Sequence, residues 1–134
     1  MRRVLGLVMA VALMLPGAVR ADEAAAQDVI VRQLDAFQRD DFAGAFTHAS
    51  PMIQSMFGTP ERFAAMVRGG YPMVWRPATV RFGLSREEDG RVFQQVVLGG
   101  TGGREHVAEY ELIEIGGVWL IDGVRLLPEA GAGA

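Results

Sequence analysis

The chain has no cysteine and no lysine among its 134 residues. Without cysteine, a disulfide scaffold, a thiolate metal site and a lipid-modified N-terminal Cys are excluded. Without lysine, all 13 basic residues are Arg, and with 17 Gly and Ala-rich stretches this reads as the product of a GC-rich bacterial gene. That is a statement about codons rather than chemistry. Histidine is nearly absent: His48 and His106 have no His partner at i+2 or i+4, so no metal site is expected, and no cofactor either. Nucleophilic chemistry is thin as well, because Ser50, Ser55 and Ser85 all fall in cap or turn contexts.

Long hydrophobic runs are also scarce, with one instructive exception. Residues 4–15 form an uncharged apolar run of twelve behind the positive pair Arg2-Arg3. Pro16-Gly17 then breaks the helix, and Val19-Arg20-Ala21 puts small residues where a signal peptidase reads them. A membrane span needs about 20 apolar residues, so this run is too short to be an anchor. The expectation is a cleavable signal peptide over 1–21, cut after Ala21 and leading to the periplasm or secretion. General secretion fits better than the twin-arginine route, because the usual polar residues before the Arg pair are missing. Cleavage removes Arg2, Arg3 and Arg20, leaving ten Arg against 16 acidic residues, a formal charge of −6 over 113 residues. Nucleic acid needs a basic footprint and is not an expected partner, and an anionic membrane surface is disfavoured for the same reason. A chain of 113 residues fits one domain, here residues 22–128, with a disordered tail over 129–134.

Within that domain the first half is helical in pattern. Ile30, Leu34 and Phe37 make one apolar stripe, flanked by the acid-before-base pairs Asp28–Arg32 and Asp35–Arg39. Phe42, Ala45, Phe46 and Ala49 make a second stripe, capped by Asp40 or Asp41 and ended before Pro51. Ser50-Pro51 and Thr59-Pro60 each pair a cap residue with Pro at the first helical position. The first opens a short helix whose Ile53, Met56 and Phe57 are expected to help cover the sheet, closed by Gly58. The second carries Phe63, Met66 and Val67 inward and stops at Gly69-Gly70.

From residue 78 the period changes to two. Val80, Phe82 and Leu84 share a strand face, and Asp89-Gly90 signals a hairpin into a strand over 92–98. The glycine-rich 99–103 stretch precedes a strand and has no phosphate-loop Lys, so it is a turn. A long strand over 104–115 puts His106, Ala108, Tyr110 and Leu112 on one face. Gly116-Gly117 turns into a last strand over 118–126, in which Trp119 and Ile121 read as core. Helices first and a meander second predict an α+β fold, with N-terminal helices packed on a curved antiparallel β-sheet and a cavity between them.

Several short motifs point the same way. Ala36-Phe37, Asp40-Asp41, Ala45-Phe46, Ala49-Ser50-Pro51, Phe57-Gly58, Phe63, Met66-Val67, Tyr71-Pro72, Arg76-Pro77 and the closing Trp119-Leu120-Ile121-Asp122-Gly123 span most of residues 25–126. Together they resemble the bacterial domain-of-unknown-function 4864 family. The resemblance implies a cystatin-like cone fold, the architecture of ketosteroid isomerase and the SnoaL-like cyclases. It implies no catalytic residues.

Asp122 is the most suggestive acid, lying in an apolar strand where a carboxylate deprived of water becomes a better base. Tyr110 and His106 are the groups that would assist it in an isomerase- or dehydratase-type site. The structural reading, which we prefer, has Asp122 accepting backbone N–H bonds at a bulge next to Gly123. Tyr71, Trp75 and Arg76, stiffened by Pro72 and Pro77, suit the rim of a ligand pocket or a dimer contact, or else an extended connector sealing the helix–sheet junction. His48 completes the ligand-binding candidates, as a helix C-terminal cap where a cation is favoured. The leading expectation is a non-catalytic periplasmic module that binds a small apolar ligand or a protein partner. The isomerase-type enzyme is the alternative, and a structural homodimer through the sheet face around Val97, Ile113 and Ile115 is the third reading.

Overall fold

A computed structural model describes residues 20–128. The signal-peptide expectation for 1–21, save Arg20 and Ala21, and the tail expectation for 129–134 lie outside the described residues. Five helices precede four strands: α1 (Ala21–Gln38), α2 (Phe42–Thr47), α3 (Pro51–Phe57), α4 (Pro60–Gly70), α5 (Pro72–Trp75), β1 (Thr79–Glu88), β2 (Arg91–Gly99), β3 (Glu105–Ile115) and β4 (Val118–Leu126).

The helix starts follow from local chemistry. Asp41 Oδ1 accepts from the Gly44 N–H at 3.0 Å, Ser50 Oγ from Ile53 N–H at 3.3 Å, and Thr59 Oγ1 from Arg62 N–H at 3.2 Å. Each bond satisfies an amide that the helix itself leaves free. Pro51 and Pro60 occupy the first turn, where no N–H is required. The i,i+4 ion pairs on α1 form as the sequence predicts, Arg32–Asp28 at 2.8 Å and Arg39–Asp35 at 3.2 Å.

The strands run in the order β1-β2-β3-β4, all antiparallel. Asp89-Gly90 and Gly116-Gly117 both sit at positive φ (52° and 76°, then 59° and 81°), the geometry of a two-residue type I′ hairpin whose twist matches its strands. Glu88 therefore faces Arg91, and Ile115 faces Val118. That register aims Val92, Val96, Leu98, Ala108, Tyr110, Leu112, Trp119 and Ile121 at the helices, where they pack on Ile30, Leu34 and Phe37 of α1. The edge of β4 is paired too. Ile121 N–H donates to His48 O and Ser50 N–H donates to Ile121 O, both at 2.8 Å, so the α2–α3 junction runs alongside as a short parallel bridge.

Five expectations need correction. Leu84 does not share the apolar face of Val80 and Phe82: a bulge sets Gly83 and Leu84 against Gln95 alone, and Leu84 is 76% exposed. The buried Gln94 amide donates to Gly83 O at 3.2 Å, which satisfies the bulged backbone from within. Second, α4 continues through Gly69 and Gly70 instead of stopping at them. Third, the 71–77 connector is not extended, because residues 72–75 make a helical turn in which Trp75 N–H donates to Tyr71 O. Fourth, α3 buries no residue, and Met56 is 65% exposed. Fifth, the outer sheet face around Val97 and Ile113 is not open apolar surface. Both side chains are half-buried, and the ion pairs Arg81–Glu105, Arg125–Glu109 and Arg91–Glu111 cross the same face; Ile115 and its cross-strand neighbour Val118 are exposed at its end.

Candidate functional site

Between α1, α3, α4 and the end of β4 lies a cavity of about 310 Å³. Phe37, Phe63 and Val67 line it deep in the core, Ile121 and Val124 form its sheet wall, and Met56, Phe57, Met66 and Tyr71 form its partly exposed edge. Phe63 is the hub of an aromatic cluster, its ring centroid 5.9 Å from Phe37, 5.2 Å from Phe46 and 5.8 Å from Phe57. Among the described residues, no Asp, Glu, His or Arg lines the space, and the polar side-chain atoms on its wall belong to Gln33 and Tyr71. Such a wall excludes ions by desolvation and rewards apolar burial.

The candidate residues do not converge there. Tyr71 lines the cavity, whereas Trp75 and Arg76 turn toward the α1–α2 loop. Trp75 Nε1–H donates to Asp40 at 3.2 Å, Arg76 pairs with the same carboxylate at 2.9 Å, and the guanidinium lies 4.9 Å from the Trp75 ring centre. The Arg76 hydrogen bond, with help from Trp75, holds the Asp40 carboxyl below its ordinary range. These residues fasten the connector to the helical layer.

His48 is also off the cavity, in a surface groove with Arg32 and Asp35. Its pKa is lowered, chiefly by burial and then by Arg32, so the charged helix cap expected from the sequence is disfavoured. His106 is half-buried at the far end of β3, opposite Leu98. Tyr110 is fully buried, and its hydroxyl has no hydrogen-bond partner among the described residues.

Asp122 is the extra residue of a bulge in β4, since Glu111 faces Gly123 while Leu112 faces Ile121. The bulge fits the structural reading, but the partners differ from those expected. Asp122 Oδ1 accepts from the Ser50 hydroxyl at 2.7 Å and Oδ2 from Arg91 at 3.0 Å, in place of backbone N–H groups. Arg91 also reaches Glu111 at 2.9 Å, and its pKa is raised, first by the Asp122 bond. Sequence reasoning missed this triad because its members are distant along the chain. It also missed Gln33, although that residue fills the vacant i+3 position between Ile30 and Leu34 on the buried face of α1.

Among the described residues, no cluster of three His, Asp or Glu side chains is placed to hold a metal ion. No helix among them is long and apolar enough to cross a membrane.

Tyr110 gives a direct test of these energetics. A buried hydroxyl without a partner costs about 1–3 kcal/mol in lost hydration, so Tyr110→Phe is expected to stabilise the fold by about 1 kcal/mol in urea denaturation. A loss exceeding 1 kcal/mol would mean that the hydroxyl is bonded. Burial also pushes the Tyr110 phenol well above its ordinary value of 10.0. The unfolded chain therefore releases this proton first, and stability should fall as pH rises above about 10. That fall should be shallower in Tyr110→Phe.

The helical cover, the open meander and the apolar cavity between them make a cone-shaped α+β fold. Two solved structures share the architecture. One is a designed NTF2-like protein, Rd1NTF2_05 with five substitutions, at TM-score 0.55 and 16% identity, covering 78% of this chain and 98% of that one. The other is RPA3114, a SEC-C motif containing protein from Rhodopseudomonas palustris, at TM-score 0.51 and 13% identity, covering 84% of this chain and 96% of that one. At these identities the likeness concerns the fold alone. No curated protein matches the sequence. The family model described as Domain of unknown function (DUF4864) matches residues 19–134, and the chain belongs to that family.

Proposed function

We propose that this protein is a non-catalytic binding module, exported to the periplasm, whose cavity takes a small apolar ligand. The observation that carries the reading is the cavity of about 310 Å³ with an apolar wall free of acids and bases. That volume lies at the low end of small-molecule sites. Isomerase-type chemistry would need a proton-transfer group on this wall, and Asp122, Tyr110 and His106 do not line it.

Uncharged compounds of about ten heavy atoms, with and without polar groups, should shift the NMR signals of the Met56 and Met66 methyl groups in a saturable way. Val124→Phe, which fills the space from the sheet side, should abolish those shifts while leaving the fold intact. Compounds that bind without moving those methyls, or no binding by any of them, would overturn the reading.

Export rests on Arg2-Arg3, the apolar run over 4–15 and the small residues flanking Arg20. The mature N-terminus should be Asp22, found by N-terminal sequencing of a periplasmic fraction. A membrane-bound form retaining residues 1–21 would refute export.

A further inference from the structure

The ligand's chemical class is written in one side chain of the cavity wall. We infer that the site selects an uncharged molecule of about ten heavy atoms whose polar group is a hydrogen-bond donor, received by Gln33 Oε1. This inference rests on the binding reading above and adds the polarity and charge of what binds.

Gln33 sits on α1, is only 3% exposed, and lines the cavity. Its Nε2 lies 3.1 Å from the Ala45 carbonyl oxygen. A carbonyl only accepts, so this bond fixes which end of the amide is nitrogen and turns Oε1 into the free end. Among the described residues no donor reaches that oxygen, while Gln27 and Gln94, the other glutamines on the α1–sheet contact, bond each other at 3.0 Å. Nor is the oxygen sealed off. Tyr110 Oη is the one side-chain polar atom among the described residues found both buried and without a partner, so Gln33 Oε1 keeps some exposed surface, on a side chain that lines the cavity.

An unpaired acceptor in an apolar wall discriminates among ligands. Water serves it poorly, since a held water needs two to four polar partners and this wall offers only Gln33 and, at its half-buried edge, Tyr71. A hydroxyl or N–H on an apolar body satisfies the oxygen and buries the body in one step. An ether or ester of equal size leaves two acceptors facing each other, and the price is a missing bond. A carboxylate fares worst, because no Arg among the described residues lines the wall to offset its desolvation.

Three probes of nearly equal size separate these cases: 1-nonanol, its isomer 1-methoxyoctane, and nonanoate at neutral pH. Their dissociation constants are read from the Met56 and Met66 methyl shifts. We expect nonanol to bind about five- to tenfold more tightly than the ether, the gain of one neutral hydrogen bond, and nonanoate to bind most weakly. In Gln33→Leu the alcohol–ether ratio should fall to about one. Gln33→Met serves if the Leu variant fails to fold, and the ranking in the unaltered protein needs neither. Equal binding of alcohol and ether, or tightest binding of nonanoate, would overturn the donor assignment and leave the cavity a general apolar site. If none of the three binds, the binding reading itself fails, and this inference falls with it.

Discussion

Phe63→Ala is expected to lower the unfolding free energy by about 4 kcal/mol, the largest effect of any single substitution considered for this fold. Phe63 is 5% exposed and sits where the rings of α1, α2 and α3 meet, its centroid 5.9 Å from Phe37, 5.2 Å from Phe46 and 5.8 Å from Phe57. Truncation removes the transfer energy of a buried ring and leaves a hole that cannot collapse. One side of that hole already opens on the cavity, and the other is held by Phe37, which is fully buried against the sheet. Aromatic pair terms of about 0.5–1.5 kcal/mol each are lost as well. Phe57→Ala is the control, because Phe57 lies half-buried on the weakly anchored α3 and should cost no more than about 2 kcal/mol. Urea denaturation with an unchanged slope checks both. A Phe63→Ala loss no greater than that of Phe57→Ala would mean that the cluster around Phe63 is not the hub of the helical layer.

The features that were legible in the sequence are those fixed by neighbours a few residues away. Asp41, Ser50 and Thr59 reveal helix starts because a cap acts within three residues. Asp89-Gly90 and Gly116-Gly117 reveal hairpins because positive φ at two successive residues is a local requirement. With both turns placed, alternation alone puts Val92, Val96, Tyr110, Leu112 and Ile121 in the core. What escaped depends on pairing across the chain. Leu84 alternates correctly on paper, yet a bulge supported by Gln94 from the next strand turns it outward. Trp75 and Arg76 look like a pocket rim until Asp40, more than thirty residues earlier, is seen to bind them both. The cavity was anticipated as a space between helices and sheet, but the residue that gives it chemical character is a glutamine hidden in an apolar stripe. A polar side chain on a buried helix face was the available signal.

Asp122→Ala should cost about 2–3 kcal/mol, and the reason separates a structural acid from a functional one. The carboxylate is 12% exposed and accepts two charge-assisted bonds, from a guanidinium and from a fully buried hydroxyl. Its removal strands the Ser50 hydroxyl, which is fully buried. Arg91 loses less, since its side chain is 42% exposed and keeps Glu111. Arg91→Ala should therefore be much milder than Asp122→Ala and weaker still at high salt, where exposed pairs are screened. Asp122→Asn retains an acceptor for Ser50 and should fall between the two. Because Ser50 both donates to Asp122 and caps α3, a double-mutant cycle of Ser50→Ala with Asp122→Ala should be non-additive by about 1 kcal/mol. The consequence reaches the cavity: α3 buries no residue fully, so its hold on the edge formed by Met56 and Phe57 rests on this anchor together with the Gln54 amide bonds to Phe46 O and Ala49 O. Ligand affinity should then fall together with stability across the series. A variant that leaves stability unchanged but abolishes binding or an enzymatic turnover would reverse this assignment and make Asp122 a functional acid.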